Sequence, residues 1–162
     1  MEPKFITRDE FKVVGMECIG NNQNGEFGRL WEDFMQRMGE IRNGSRQGVY
    51  YGVCGCGPEC EPEKGICKCG EVGFSYMACV EVSDTDETPA GMVAKTIPAA
   101  KYAVFTHSGS LDKLKDTYNY IYQTWLKDSG CELSGSFCFE LYDDRFNPAG
   151  DNSELDVYLP IK

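Results

Sequence analysis

The chain has 162 residues, 41% hydrophobic and 12% aromatic, with 16 basic against 26 acidic side chains and a net charge of −10. That is apolar content enough for one domain with its own core. No apolar run approaches the roughly eighteen residues of a membrane span, the start MEPKFITRDEFKVV lacks the basic and apolar stretches of a secretory signal, and no basic cluster offers a face to a phosphate backbone. Membrane insertion, secretion and direct nucleic-acid binding are not expected, and a cytoplasmic location is.

In chain order, FKVVGMEC (11–18) is rich in β-branched and apolar residues and reads as a strand. Residues 26–42 have helical period: Phe27, Leu30, Trp31, Phe34, Met38 and Ile41 recur at three- and four-residue steps. Asn24 is the expected N-cap of this helix, and Gly44 lies beyond its end. GVYYGVC (48–54) and FSYMACVEV (74–82) read as strands, and GMVAKTI (91–97) as a further strand ending before Pro98. KYAVFTHSG (101–109) is again strand-like. A second helix is expected over 111–127, with the stripe Leu114, Tyr118, Ile121, Tyr122 and Trp125, Ser110 as N-cap and Gly130 as stop. SFCFELY (136–142) and ELDVYLPI (154–161) complete the set.

The order strand-helix-strand-strand thus occurs twice. Sliding the chain by 88 positions lays Leu30 on Tyr118, Phe34 on Tyr122, Met38 on Leu126 and Tyr51 on Phe139. This predicts an α+β domain of duplicated units with pseudo-two-fold symmetry, its antiparallel sheet carrying both helices on one face. Tyr51 to Met77 is 26 positions and Phe139 to Asp156 is 17, so the first copy holds about nine extra residues. They fall in a cysteine-rich stretch, read as an insertion at 54–70 in a single domain covering 1–162.

That stretch, CGCGPECEPEKGICKC, holds Cys54, Cys56, Cys60, Cys67 and Cys69, five of the nine cysteines. In a reducing compartment free thiols are expected before disulfides, and nine cannot all pair. Four of the five could hold zinc in a tetrahedron. The C-x-C spacing differs from the C-x2-C turns of zinc ribbons, so zinc and a metal-free reduced loop both stay open. His107, the one histidine, has no partner at a motif spacing and reads as a solvated strand end. GVCGCG is no dinucleotide fingerprint, because no helix follows it.

In SFCFELY, alternation puts Cys138, Glu140 and Tyr142 on one face and Phe137, Phe139 and Leu141 on the other. If the second set packs under the helices, Glu140 looks to the opposite side. Judged on these residues alone, Glu140 is a glutamate on a solvated sheet face.

The segments YAVFTHSGSLDKLKDTYNYIYQTWLKDSG, FCFELYDDRF and ELDVYLPIK, with FKVVGM, LWEDFMQRMGEI, YYGV and YMACVEVSD in the first half, resemble the GyrI-like small-molecule-binding domains. This is the effector-binding module of AraC- and MerR-type transcription regulators, and the likeness covers about 5–161. It implies the doubled fold read above and a central pocket for lipophilic, often cationic or planar, molecules. It also implies a buried functional glutamate, at the position of Glu140 here. An apolar cleft would give such a carboxylate a cation or a raised pKa. Tyr51, Tyr76, Phe105, Trp125 and Tyr142 are candidate aromatic walls, and Trp31 is assigned to the core.

The resemblance carries no role for the cysteine stretch and requires no cofactor. The module begins almost at Met1, so the expected function is a stand-alone sensor or sequestering protein for a lipophilic or cationic small molecule, beside a regulator protein. A second function of a different class is hydrolysis of cyclopropane-bearing natural products, with Glu140 helping to activate water. A third is protein inhibition of the DNA gyrase type.

Overall fold

The computed structural model describes residues 1–55, 73–135 and 137–162. Its strands are β1 (Lys4–Arg8), β2 (Phe11–Gly20), β3 (Tyr50–Gly55), β4 (Phe74–Val82), β5 (Val93–Ile97), β6 (Ala100–Ser108), β7 (Phe137–Tyr142) and β8 (Glu154–Ile161). They form one antiparallel sheet in the order β1-β6-β8-β7-β3-β4-β2-β5. Read from its middle the order is symmetric: β6-β8-β7 of the second unit mirrors β2-β4-β3 of the first.

The axis can be located. Gly52 and Glu140 are 88 positions apart, the repeat shift, and they are also direct Cα partners in the β3–β7 pair. The pseudo-two-fold therefore passes between them. The insertion is visible in register as well. Tyr51 pairs with Cys79, 28 residues on, whereas its counterpart Phe139 pairs with Tyr158, 19 residues on. The difference is the nine residues expected.

One strand escaped the sequence pattern. KFITR is short, mostly exposed and mixed in charge, yet it forms β1 along β6. It precedes β2 as β5 precedes β6, and each of these leading strands pairs with the other unit: β1 with β6 and β5 with β2.

Helix α1 (Glu26–Arg37) buries Leu30 and Phe34 and runs into a 3-10 turn, Met38–Glu40, before the expected end at 42. Its N-cap is Gly25, in the left-handed region at φ 72°, not Asn24. The side-chain acceptor at this end comes from Asn22, whose Oδ1 takes the Phe27 amide at 3.1 Å. The second helical region starts with a 3-10 turn, Leu111–Lys113, and continues as α2 (Leu114–Tyr120). A π turn (Ile121–Trp125) then leads into α3 (Leu126–Ser129), which stops at the left-handed Gly130 as expected.

Both helical regions lie on one face. Leu30 and Phe34 pack with Val14, Tyr76, Ala78 and Val80, while Ile121 packs with Phe105, Cys138, Tyr142 and Val157. The opposite face closes on itself. The sheet curls around Phe11, Tyr51, Met77, Tyr102, Phe139, Leu141 and Tyr158, with Phe139 and Tyr158 stacked at 4.5 Å. Arg8 covers this second core, its guanidinium 3.8 Å from the Phe11 ring centre and 2.9 Å from Glu81. Hence the alternation in β7 is as expected but its sides are reversed. Phe139 and Leu141 point away from the helices, and Glu140 points toward them.

Candidate functional site

On the helix-bearing face a cleft of about 1080 Å³ opens between α1 and the α2–π segment. Its floor is the middle of the sheet, where β3, β4 and β7 meet: Cys54, Tyr76, Cys138, Glu140 and Tyr142. Phe27 and Trp31 wall it on the first side, Tyr118 and Tyr122 on the second. Phe27 lies flat on Tyr76 at 4.2 Å, and Tyr118 is parallel to Tyr122 at 6.4 Å. The π turn begins three residues after Tyr118 and carries Tyr122, so a widened helical turn contributes to the wall.

Glu140 is 3% exposed and is held by three phenols. Tyr142 donates to Oε2 at 2.5 Å and Tyr76 to the same oxygen at 3.0 Å, while Tyr118 donates to Oε1 at 2.8 Å. Trp31 Nε1 donates in turn to the Tyr76 hydroxyl at 3.1 Å. Among the described residues Glu140 forms no salt bridge. Burial pushes its carboxyl above the usual carboxylate range, and the three phenols pull against that rise. Tyr76, Tyr118 and Tyr142 are raised well above the ordinary phenol value, first by burial and next by the charge of Glu140. They therefore stay protonated and act as donors.

Room for this cluster comes from Gly52, directly across the axis. A Cβ there would lie 2.4 Å from the Tyr76 hydroxyl and 2.8 Å from Glu140 Oε2. The side chain absent on one strand is the space the carboxylate of the other occupies.

Of the expected site residues, the structure brings Glu140, Tyr76 and Tyr142 together. Tyr51, Phe105 and Trp125 are corrected. Tyr51 neighbours Gly52 and so faces the second core, where its hydroxyl meets Arg8 at 2.9 Å and Glu81 at 3.0 Å. Phe105 is fully buried and packs edge-on against Trp125 at 4.9 Å, and neither lines the cleft. Trp31, assigned to core, is a cleft wall. His107 is no solvated strand end: it is 2% exposed, paired with the Thr117 hydroxyl at 2.7 Å and the Ser110 carbonyl at 3.0 Å. A carbonyl only accepts, so Nε2 carries a hydrogen there.

Cys54 sits on β3 at the cleft floor. Cys56, Cys60, Cys67 and Cys69 lie outside the described residues. The sequence reading missed Phe27, Tyr118, Tyr122 and Cys138 as cleft residues. A signal existed in the second helix: Tyr118 and Tyr122 put polar-tipped rings where a dry core would take Leu or Ile.

The doubled α+β scaffold with a buried acid at its axis has the form that the family resemblance implies for an effector-binding domain. The family model described as Cass2, integron-associated effector binding protein, matches residues 4–161, and the chain belongs to this GyrI-like family. It is 37% identical over 162 residues to the transcriptional regulator BrlR of Pseudomonas aeruginosa, a match covering 99% of this chain and 56% of BrlR. The chain thus spans about half the length of that curated relative. Among solved structures, SAV2435 bound to tetraphenylphosphonium superposes with a TM-score of 0.75 at 17% identity, over 100% of this chain and 94% of that one. The EcmrR C-terminal domain gives 0.68 at 17%, over 99% and 97%. At these identities the two structures establish the fold. Among the described residues no helix is long and apolar enough to cross a membrane.

Proposed function

We propose that the cleft receives lipophilic organic cations, and that the chain is a ligand-sensing or sequestering domain working with a transcription regulator in the cytoplasm. The observation that carries this reading is Glu140, a buried carboxyl in an aromatic cleft with no salt bridge among the described residues. A carboxylate in such a place is costly without a counter-charge. A bound cation supplies that charge, and the rings of Trp31, Tyr118 and Tyr122 add cation–π attraction. Asp112 and Lys115 stand at the rim with opposite signs, so charge selection falls to Glu140. The ligand named with SAV2435 is a lipophilic cation, and BrlR is a regulator; both support the reading. With a net charge of −10, this domain leaves nucleic-acid contact to its partner.

Calorimetric titration with tetraphenylphosphonium and with neutral triphenylphosphine oxide tests the proposal. Glu140→Gln keeps the size of the side chain and removes its charge, and should weaken the cation by ~1–3 kcal/mol, the scale of charged hydrogen-bond partners. The neutral compound should lose little. Equal affinity of both proteins for the cation overturns the reading.

One observation favours a second reading. The carboxyl of Glu140 is raised above its usual range beside a phenol 2.5 Å away, an arrangement suited to taking a proton from water in a cyclopropane hydrolase. In that case Glu140→Gln abolishes turnover and leaves substrate binding nearly intact.

A further inference from the structure

Two thiols share the floor of the cleft. Cys54 on β3 and Cys138 on β7 are direct Cα partners, one step along the sheet from the Phe139–Val53 pair and two from Gly52–Glu140. Both side chains line the cleft, and both are free. Directly opposed residues of an antiparallel pair have Cα atoms about 4.5–5.5 Å apart, inside the ~4.4–6.8 Å over which two cysteine sulfurs can be joined. The two thiols lie close enough to influence each other, with Tyr118 beside them. The other described cysteines offer no such pair. Cys79 is buried in the second core, and Cys18 and Cys131 line no part of the cleft.

We infer that Cys54 and Cys138 form a dithiol site for lipophilic thiophilic electrophiles, represented by aryl compounds of trivalent arsenic. Soft centres select sulfur, and a centre that takes two sulfurs at once gains from a pair already placed face to face. The aryl group lies against the rings that wall the cleft. The step balances without any oxidant: an arylarsonous acid, ArAs(OH)2, meets two thiols, two As–O bonds break and two As–S bonds form. The two thiol protons leave with the two hydroxides as water. Arsenic stays trivalent and neither sulfur is oxidised. The site does not rest on the cation reading, because bridging two sulfurs requires no charge at Glu140.

The test uses the full chain and phenylarsine oxide, which hydrates to the arsonous acid. Brief alkylation of the native protein, with and without the arsenical, is mapped to individual cysteines by peptide mass. Cys54 and Cys138 should be protected together, by about tenfold or more, as expected when both thiolates are consumed. Glutathione in excess should not reverse the protection, and a small dithiol should. In a second arm Cys56, Cys60, Cys67 and Cys69 are replaced by Ser to remove competition. One phenylarsenic group per chain should then be retained, lost in Cys54→Ser or Cys138→Ser, and kept in Cys131→Ser and in Glu140→Gln. Should either floor variant fail to fold, the alkylation map of the unsubstituted protein still decides. Unprotected Cys54 and Cys138, or a retained adduct when one of them is replaced, overturns the inference and leaves the pair as small apolar packing groups.

Discussion

The two halves share a scaffold and differ in what they place on it. Where the second half puts Glu140 on the axis, the first has Gly52; where it puts Tyr118 and Tyr122 on its helix, the first has Leu30 and Phe34. Tyr142 answers to Cys54. The first half contributes mostly apolar wall, through Phe27, Trp31 and Phe74, with Tyr76 as its one donor to the acid. A symmetric version would set two carboxylates across one axis, and like charges at that range suppress each other's ionisation. Duplication thus supplied a two-sided cleft, and divergence at the axis supplied a single charge with space around it. Symmetry builds the container; the loss of symmetry leaves a single acid inside it.

Restoring a side chain at the axis should have the largest effect. Gly52→Ala sets a methyl against the Tyr76 hydroxyl and the carboxylate, and overpacking of this kind costs roughly 1–3 kcal/mol. A denaturant midpoint shift and loss of tetraphenylphosphonium binding are expected together. An unchanged midpoint would mean that the first half yields at the axis.

Making the second helix like the first comes next. Tyr118→Leu removes the donor to Oε1, worth about 0.5–1.5 kcal/mol, and should raise the carboxyl of Glu140 further. The sign follows from the raised folded-state value. The folded chain binds this proton more tightly than the unfolded chain, so its stability rises as pH falls through that value and the cost of the buried charge applies above it. Cation affinity runs the other way, falling as the carboxyl is protonated. For the native protein that loss should begin above the ordinary glutamate range near ~4.3, and for Tyr118→Leu at a higher pH still. Titration calorimetry across pH reads both.

Smaller effects mark what lies outside the cleft. Tyr51→Phe breaks bonds to Arg8 and Glu81 in the second core. It should cost about 1 kcal/mol in a thermal melt with no change in cation affinity. Smallest is the insertion: joining Gly55 to Gly73 through a short turn should preserve cooperative unfolding, since β7 and β8 manage with nine fewer residues. Any zinc held by four of Cys54, Cys56, Cys60, Cys67 and Cys69 should leave on chelation with the domain still folded, as metal analysis and a melt would show.

Much of the fold was legible because period survives in both helices and alternation in the long strands. β1 was not, since five mostly exposed residues carry no apolar alternation and owe their state to the edge of β6. Glu140 was legible only through the family likeness. Its alternation with Phe139 and Leu141 defines two faces without saying which the helices cover, and here a curled sheet buries both. Tyr51 failed for that reason: an aromatic strand residue next to the axis belongs to either face until the curl is known. Trp31 failed because a helix stripe looks the same over a packed sheet as over a cleft.

The exchange of leading strands bears on how the chain folds. Lys4 pairs with Val104 and Arg8 with Ala100, so β1 must wait for a partner about a hundred residues later in the chain. Such closures carry a large entropic cost before any contact rewards them, and topologies built on them fold slowly. Neither half can complete its own sheet, because each edge is supplied by the other. A chain cut between the repeats would leave β6 without β1 and β2 without β5, two open edges ready to pair with whatever strand arrives first.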